Sequence, residues 1–171
     1  MGSSTTSVAD KKLPTVVGKC QELAGQGLFQ FLDHDGVQRH IASDDVNDYL
    51  RATSGEEITA KDFRTWAATN LAAMALADME RFNSEVKAKR AVAEAVEHVA
   101  RNSGNTPAIC RKCYIHPAVL EGYLDGSLAK VLSARADAVL GAHVPGLTAE
   151  EVAVTAFLRW RLGDTTAQGL G

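Results

Sequence analysis

Residues 104–124 read GNTPAICRKCYIHPAVLEGYL, and they hold two helix-start signals around a tyrosine. In Thr106-Pro107 and again in His116-Pro117, a potential capping residue precedes a proline, which fits the first turn of a helix. The stretch therefore predicts two short helices, with Tyr114 near the junction between them. Such a junction, set among long amphipathic segments, indicates a mainly α-helical fold.

The flanking sequence predicts further helices and one small β-hairpin. Residues 28–41 alternate apolar and polar side chains around Asp35-Gly36, and Gly36 suits a hairpin turn because glycine tolerates positive φ. Gly55 and Gly104 are placed to end two of the helices. The further helices are predicted over residues 43–54, from 59 to at least 74, 84–102, 127–140 and 148–162.

Apolar residues at helical spacing predict which helix faces are buried. Thr59, followed three residues later by Asp62, is close to a capping box at the start of one of these helices. The residues predicted on these faces are Val46, Tyr49 and Leu50; Phe63, Trp66, Ala67, Asn70, Leu71 and Met74; and Val86, Val92, Val96 and Val99.

Length and composition indicate one folded domain. The chain has 171 residues, 46% of them hydrophobic, which is enough for a packed core without disulfides. No apolar run approaches the roughly 20 residues that cross a bilayer, and the N-terminus lacks the apolar centre of a signal peptide. We therefore expect a cytoplasmic protein with reduced thiols and no membrane association.

The charge distribution predicts a local basic surface. The net charge of −3 argues against a general affinity for nucleic acid. Between Glu85 and Tyr114, however, basic residues outnumber acidic ones. The basic residues of this segment are Lys87, Lys89, Arg90, Arg101, Arg111 and Lys112.

Cys110, Cys113 and His116 raise the alternatives of a zinc site and a redox motif. A closed zinc site needs four ligands, and the sequence has no second cysteine pair to complete one. A thioredoxin-like motif would follow a strand in a βαβ unit, and no such unit is predicted. We therefore expect no metal ligands here and interpret Cys110 as a small buried hydrophobic residue.

Tyr114 offers a different chemistry, because tyrosine can act as a covalent nucleophile. A phenol is mostly protonated at neutral pH, so it needs nearby cations to stabilise the phenolate and the group that it attacks. Arg111 and Lys112 are close in sequence, and the planar fork of arginine suits phosphate oxygens. The alternative is a packed tyrosine beside a solvated Arg-Lys pair, which the residues alone favour.

Four segments resemble the type IB DNA topoisomerases, in particular their compact bacterial and poxvirus-like branch. They are LFQFLDHDGVQRHI (28–41), SDDVNDYL (43–50), TAKDFRTWAATN (59–70) and residues 104–124. The resemblance implies the mainly α, multi-helix catalytic domain of DNA breaking-rejoining enzymes, with one small β-hairpin. It further implies that residues 20–171 form a C-terminal part of that domain, after a poorly matched, flexible stretch over residues 1–19.

The resemblance implies three catalytic residues. Tyr114 lies in a segment similar to RKSYIHP and would be the nucleophile, and Cys113 occupies a position that is often serine. Arg64, in a K-x-x-R motif, would be a phosphate-binding arginine. Asn105 would donate a hydrogen bond to a non-bridging phosphate oxygen. Taken singly, Arg64 also fits an ordinary surface residue and Asn105 an ordinary turn residue.

Lys61, Arg111 and Lys112 are expected to contact DNA. The partner implied is double-stranded DNA, one strand of which would be cut and rejoined through a 3′-phosphotyrosyl link, relaxing supercoils without ATP. Because one phosphodiester replaces another, neither a nucleotide nor a metal cofactor is expected. Within the cytoplasm, the protein is expected to associate with the nucleoid.

The family has two further catalytic residues for which this sequence shows no match. The family has a second arginine and a general-acid lysine upstream, and Lys11, Lys12 and Lys19 cannot be placed in the role of that lysine. We therefore expect that a missing N-terminal half of the same enzyme is a partner, and that the chain alone is weak or inactive.

Two other functions are left open. A tyrosine recombinase or integrase shares the chemistry, but it usually carries histidine where this chain has Lys61, so Lys61 and Asn105 favour a topoisomerase. A non-catalytic DNA-binding module of the same fold is the alternative from another class.

Overall fold

The computed structural model describes residues 12–23, 29–79, 84–139 and 146–163. Of residues 1–19, which were predicted to be flexible, residues 1–11 lie outside these ranges, as do the predicted positions of Leu28, Leu140 and Pro145. A helix over Leu13–Glu22 was not predicted. The elements in the described part are α1 (Leu13–Glu22), β1 (Gln30–Leu32), β2 (Gln38–His40), α2 (Ser43–Ser54), α3 (Ala60–Ala77), α4 (Glu85–Ser103), α5 (Pro107–Ile109), a π-helical turn (Cys110–Tyr114, the π-turn), α6 (Pro117–Leu124), α7 (Ser127–Val139) and α8 (Ala149–Leu162). The predicted mainly helical chain with one small hairpin is confirmed.

The chain divides into two compact units, Met1–Asp62 and Phe63–Gly171. In the first unit, β1 and β2 pair antiparallel, with Phe31 opposite Arg39. Gly36 has φ 76° in the connecting loop, as predicted. Asp33 closes this loop by accepting hydrogen bonds from the backbone N–H groups of Asp35 and Val37. Its bond with the Arg39 side chain is the main cause that lowers its pKa.

The hairpin buries a polar residue, and its apolar side chains are exposed. Gln30 is 2% exposed and donates to the carbonyl oxygen of Leu23 at 3.0 Å, whereas Phe31 and Leu32 are about half exposed. The alternation in the sequence located the hairpin but did not identify its buried side.

The start and the end of α2 follow local signals, but its predicted buried face is wrong. Asp45 accepts the N–H of Ala42 at 2.7 Å, and Gly55 ends the helix with φ 73°. No residue of α2 is buried, and Tyr49 is 68% exposed. A periodic apolar pattern is necessary for a core face, but it does not show that another element covers that face.

Half of the predicted capping box of α3 is present, since the N–H of Asp62 donates to the backbone carbonyl oxygen of Thr59 at 3.0 Å and not to its hydroxyl. The backbone N–H and the hydroxyl of Thr59 donate to the carboxylate of Asp62, at 2.9 and 2.7 Å. These bonds, that of the hydroxyl first, lower the pKa of Asp62. The helix starts in the first unit and continues into the second.

The predicted buried face of α3 is wrong in part, since Leu71 is partly buried against the core but other predicted residues are exposed. Phe63 is 54% exposed, Ala67 is exposed, and Trp66 is only partly buried. The face that enters the core carries mostly small side chains, which allow close helix approach. Its buried residues are Ala68, Thr69, Ala72, Ala73 and Leu76.

The second unit is built around one hydrophobic cluster. It includes Val92, Val96 and Val99 of α4, as predicted, whereas the predicted Val86 is 78% exposed. The other buried members are Ala68, Ala72, Ala73, Leu76, Ala95, Ala100, Cys110, Ile115, Val119, Leu120, Leu128, Val154 and Phe157. Among the described residues, no helix is long and apolar enough to cross a membrane.

One side chain joins α3 to the start of α8. The indole N–H of Trp66 donates to Glu151 at 3.0 Å, and Glu151 also accepts the N–H of Thr148 in the capping box of α8. These hydrogen bonds, the backbone bond from Thr148 first, lower the pKa of Glu151. Trp66, predicted to be a core residue, thus makes a polar link between two helices.

Gly122 allows α6 to approach α8 closely. A Cβ atom at Gly122 would overlap the ring of Phe157, which is fully buried. We expect Gly122→Ala to lower the free energy of unfolding by about 1–3 kcal/mol, the usual range for overpacking a core. Urea unfolding followed by circular dichroism measures the change.

Gly18→Ala is the matched control, because Gly18 lies inside α1 and a Cβ atom there meets nothing within 4 Å. Alanine is the better helix former, so this variant should be neutral or slightly more stable. Equal stabilities of the two variants would contradict the packing described for Gly122.

Candidate active site

An open cleft in the second unit brings together the three residues predicted to be catalytic. Arg64 of α3, Asn105 after α4 and Tyr114 of the π-turn all line this cleft, which has a volume of about 480 Å³. The remaining lining residues are Ala67, Ala68, Leu71, Val99, Asn102, Ser103 and Gly104. Residues from three separate elements thus converge on one surface.

Tyr114 is positioned by the π-turn. The N–H of Ile115 donates to the carbonyl oxygen of Cys110 at 2.9 Å, the i to i+5 bond that defines such a turn. Cys110 and Ile115, on either side of the turn, are buried in the core. Tyr114 itself is partly buried against the core and reaches the cleft. The predicted junction between two short helices is confirmed, whereas the π-turn was not predicted.

The helix caps on both sides of the tyrosine match the prediction. Thr106 accepts the N–H of Ile109 at 3.3 Å, and His116 accepts the N–H of Ala118 through Nδ1 at 3.2 Å. Pro107 and Pro117 occupy the first turns of α5 and α6. Local signals in the sequence therefore fix where the chain turns around Tyr114.

Asn105 is held at the end of α4 by its backbone and its side chain. Gly104 ends the helix with φ 66°, and the N–H of Asn105 donates to the carbonyl oxygen of Ala100 at 3.2 Å. The side-chain amide donates one hydrogen bond to the carbonyl oxygen of Ser103 at 3.0 Å. Its NH₂ group has a second hydrogen, which can be donated to a ligand in the cleft.

Among the described residues that line the cleft, Arg64 is the one with a charged side chain. It is exposed on α3, and no residue in the described part of the chain forms an ion pair with it. A guanidinium group without a carboxylate partner can direct its donors to an anion. The cleft therefore has a positive charge beside a phenol and an amide.

The predicted DNA-contact residues do not line this cleft. Lys61 is exposed in the first turn of α3, and Arg111 and Lys112 are exposed in the π-turn. Their contact with DNA stays a prediction.

Much of the predicted basic surface on α4 is neutralised locally. The ion pairs on this helix are Lys89–Glu85, Arg90–Glu94 and Arg101–Glu97. Spacing of four residues places each acid beside its base on the helix surface. Counting basic residues along the sequence therefore overstated the positive charge of this helix.

Cys110 and Cys113 have different environments. Cys110 is fully buried, with its sulfur 3.3 Å from the hydroxyl oxygen of Ser103, and Cys113 is exposed. The packing interpretation of Cys110 is confirmed. His116 uses Nδ1 to cap α6, and the described residues include no group of three His, Cys, Asp or Glu side chains that could hold a metal ion.

Thr69 was missed by the sequence analysis. Its buried hydroxyl donates to the carbonyl oxygen of Tyr114 at 3.2 Å and accepts the N–H of His116 at 3.1 Å. The sequence indicates only a polar residue among alanines on α3, and such a residue needs a partner if it is buried. The identity of that partner depends on tertiary structure.

The described part of the chain is mainly helical, and one cleft holds a tyrosine, an amide and an arginine with no ion-pair partner among the described residues. Such groups suit the class of helical proteins that bind a phosphodiester beside a tyrosine hydroxyl. Residues 4–136 match the family described as eukaryotic DNA topoisomerase I, catalytic core. The chain therefore belongs to the DNA topoisomerase I catalytic-core family, and the topoisomerase predicted from the sequence is confirmed at this level.

A viral relative supports the same family. DNA topoisomerase 1B of Acanthamoeba polyphaga mimivirus is 32% identical over 109 residues, which cover 60% of this chain and 32% of the viral protein. The chain thus spans about a third of the length of this relative. Likeness to a type IB enzyme agrees with the type predicted from the sequence, and the roles of individual residues stay predictions.

The two cysteines of the π-turn should differ in reactivity. We expect iodoacetamide to modify exposed Cys113 at least about tenfold faster than buried Cys110, because Cys110 reacts only after local opening. Mass spectrometry of proteolytic peptides at successive times measures both rates. Similar rates in the native protein would contradict the burial of Cys110, and unfolding in urea should abolish the difference.

Proposed function

We propose that this chain is the tyrosine-bearing, C-terminal part of the catalytic domain of a type IB DNA topoisomerase, from the compact bacterial and poxvirus-like branch. The observation that carries the proposal is the convergence of Arg64, Asn105 and Tyr114 on one cleft. The membership of the topoisomerase I family supports it. The segment RKCYIHP and the K-x-x-R motif at Lys61 and Arg64 support the choice of branch.

In the proposed reaction, the phenol oxygen of Tyr114 attacks a phosphorus atom of the DNA backbone in line with the 5′ oxygen. A Tyr–O–P bond forms and the P–O5′ bond breaks, which leaves a 3′-phosphotyrosyl link and a free 5′ hydroxyl. The phenol loses a proton and the leaving oxygen gains one. Because one phosphodiester replaces another, the reverse attack by the 5′ hydroxyl rejoins the strand without ATP.

Arg64 and Asn105 would stabilise the charge on the non-bridging oxygens in the transition state. The guanidinium group can donate two parallel hydrogen bonds to phosphate, and the amide of Asn105 can donate its second hydrogen. Fixed donors of this kind need little reorganisation as the five-coordinate phosphorus forms, which is the main catalytic strategy in phosphoryl transfer.

Binding to double-stranded DNA would involve Lys61, Arg111 and Lys112 as phosphate contacts. Arg111 and Lys112 precede the nucleophile in the π-turn and are exposed, which supports their role. The net charge of −3 implies weak binding, and because phosphate contacts would supply most of it, the affinity should fall as the salt concentration rises. An association with the nucleoid in the cytoplasm belongs to the same proposal.

A general acid for the leaving 5′ oxygen would come from another segment of the enzyme. Arg64 is the one cationic residue that the described part of the chain contributes to the lining of the cleft, and an arginine is a poor proton donor because it stays charged. We therefore propose that a partner segment supplies the general acid. The resemblance to the family implies that this segment is the N-terminal half of the same enzyme, and that it adds a lysine and a second arginine.

A DNA duplex whose cleaved end dissociates tests the covalent step. We expect a slow covalent adduct of the chain with the 3′ phosphate, absent in Tyr114→Phe and reduced about 10²–10³-fold in Arg64→Ala, because one donor to the transition state is lost. Denaturing gels of labelled DNA measure the adduct. Tyr49→Phe and Cys113→Ser are the controls and should retain it.

DNA binding without any adduct would contradict the chemistry and support a non-catalytic module. Retention of the adduct by Tyr114→Phe would contradict the choice of nucleophile.

The proposed supply of the general acid by another segment makes a second prediction. The isolated chain should relax supercoiled plasmid about 10²–10⁴-fold more slowly than an intact type IB enzyme, which is the usual contribution of general acid catalysis. Agarose gels of time courses at several salt concentrations measure the rate. Fast relaxation that is abolished by Tyr114→Phe would show that the chain contains its own general acid.

A further inference from the structure

Thr69 is a buried polar residue that contacts the backbone on both sides of the junction after Tyr114. Thr69 as a whole is 2% exposed. The hydroxyl donates to the carbonyl oxygen of Tyr114 at 3.2 Å and accepts the N–H of His116 at 3.1 Å. One hydroxyl therefore satisfies an acceptor and a donor of the segment that carries the nucleophile.

These two backbone groups lack helical partners because the chain is extended at Ile115 and His116. In a continuous helix the carbonyl oxygen of Tyr114 would accept the N–H of Ala118. That N–H donates instead to Nδ1 of His116, the cap of α6. Burial of backbone groups without partners is unfavourable, so the junction depends on Thr69.

Thr69 also connects the tyrosine to the helix that carries the arginine. Arg64 and Thr69 both lie on α3, Arg64 at the cleft and Thr69 toward the core. A helix is a stiff element, so the bonds of Thr69 fix the backbone of Tyr114 relative to Arg64, and therefore relative to a phosphate that Arg64 would bind. A displacement of about 1 Å at a reacting group can reduce the rate about 10²-fold.

We infer that Thr69 is a positioning residue that holds Tyr114 in register with Arg64, and thereby sets the rate of strand cleavage. The inference rests on the proposed function. Thr69 does not line the cleft, so it acts through the backbone of Tyr114 and not through contact with DNA.

Two substitutions separate the hydroxyl from the shape of the side chain. Thr69→Val keeps the volume and removes both hydrogen bonds, whereas Thr69→Ser keeps the hydroxyl. Thr155→Val is the matched control, because Thr155 is partly buried on α8 and donates to the carbonyl oxygen of Glu151 within its own helix. If Thr69→Val does not fold, Thr69→Ala is used in its place. Alanine puts no methyl group next to the carbonyl oxygen of Tyr114 and the N–H of His116, which lose their partner in both variants.

The first measurement is hydrogen exchange of the His116 amide in the free protein. We expect exchange at least about tenfold faster in Thr69→Val than in the wild type, with Thr69→Ser close to the wild type and Thr155→Val unchanged at this amide. Equal exchange in Thr69→Val and the wild type would overturn the inference, because the hydroxyl would then not hold the junction.

The second measurement is single-turnover adduct formation on the same DNA duplex, with DNA affinity measured in parallel. We expect Thr69→Val to form the adduct about 10- to 100-fold more slowly with affinity changed less than about twofold, and Thr69→Ser to restore most of the rate. A parallel loss of rate in Thr155→Val, or an unchanged rate in Thr69→Val, would overturn the inference.

The two measurements distinguish this inference from the proposed function. If the wild type forms no adduct, the proposed chemistry fails, and the exchange of the His116 amide still decides whether Thr69 holds the tyrosine segment. If the wild type forms the adduct and the Thr69 variants match it in amide exchange and in adduct rate, the proposed function stands and the positioning role is wrong.

Discussion

Pro117 has no backbone N–H, and the residue before a proline is disfavoured in the helical conformation. The helical turn that carries Tyr114 therefore ends at once, and the chain crosses Ile115 and His116 in extended form before α6 begins. Burial of Cys110 and Ile115 anchors the turn on both sides. The geometry of the cleft depends on this break between the π-turn and α6, because the break fixes the position of Tyr114 beside α3.

The electrostatics of the cleft depend on pairing more than on the number of charges. On α4, three basic side chains have acidic partners within the same helix, so they add little to the field at a distance. Arg64 has no ion-pair partner among the described residues, and it is the charge that faces the cleft. A chain with a net negative charge can therefore still offer a phosphate one well-defined cationic site.

Local signals made part of this structure predictable. The helix starts at Thr59, Thr106 and His116 and the glycine ends at Gly55 and Gly104 depend on a few neighbouring residues, so the sequence alone locates them. The buried face of α3, the π-turn and the contact of Thr69 depend on distant elements. The convergence of Arg64, Asn105 and Tyr114 was expected only through resemblance to a family, since periodicity cannot bring three separate elements together.

The π-turn constrains the length of the segment that carries Tyr114. Each hydrogen bond of a π-helical turn spans one residue more than a hydrogen bond of an α-helix. Successive residues of an α-helix are rotated by about 100° around the helix axis. Deletion of one residue between Cys110 and Tyr114 would favour an ordinary α-helix and turn the phenol away from the cleft. Substitution of exposed Cys113 leaves the spacing of this turn unchanged, whereas an insertion or a deletion in it would displace the phenol of Tyr114 from the cleft even if every side chain were kept.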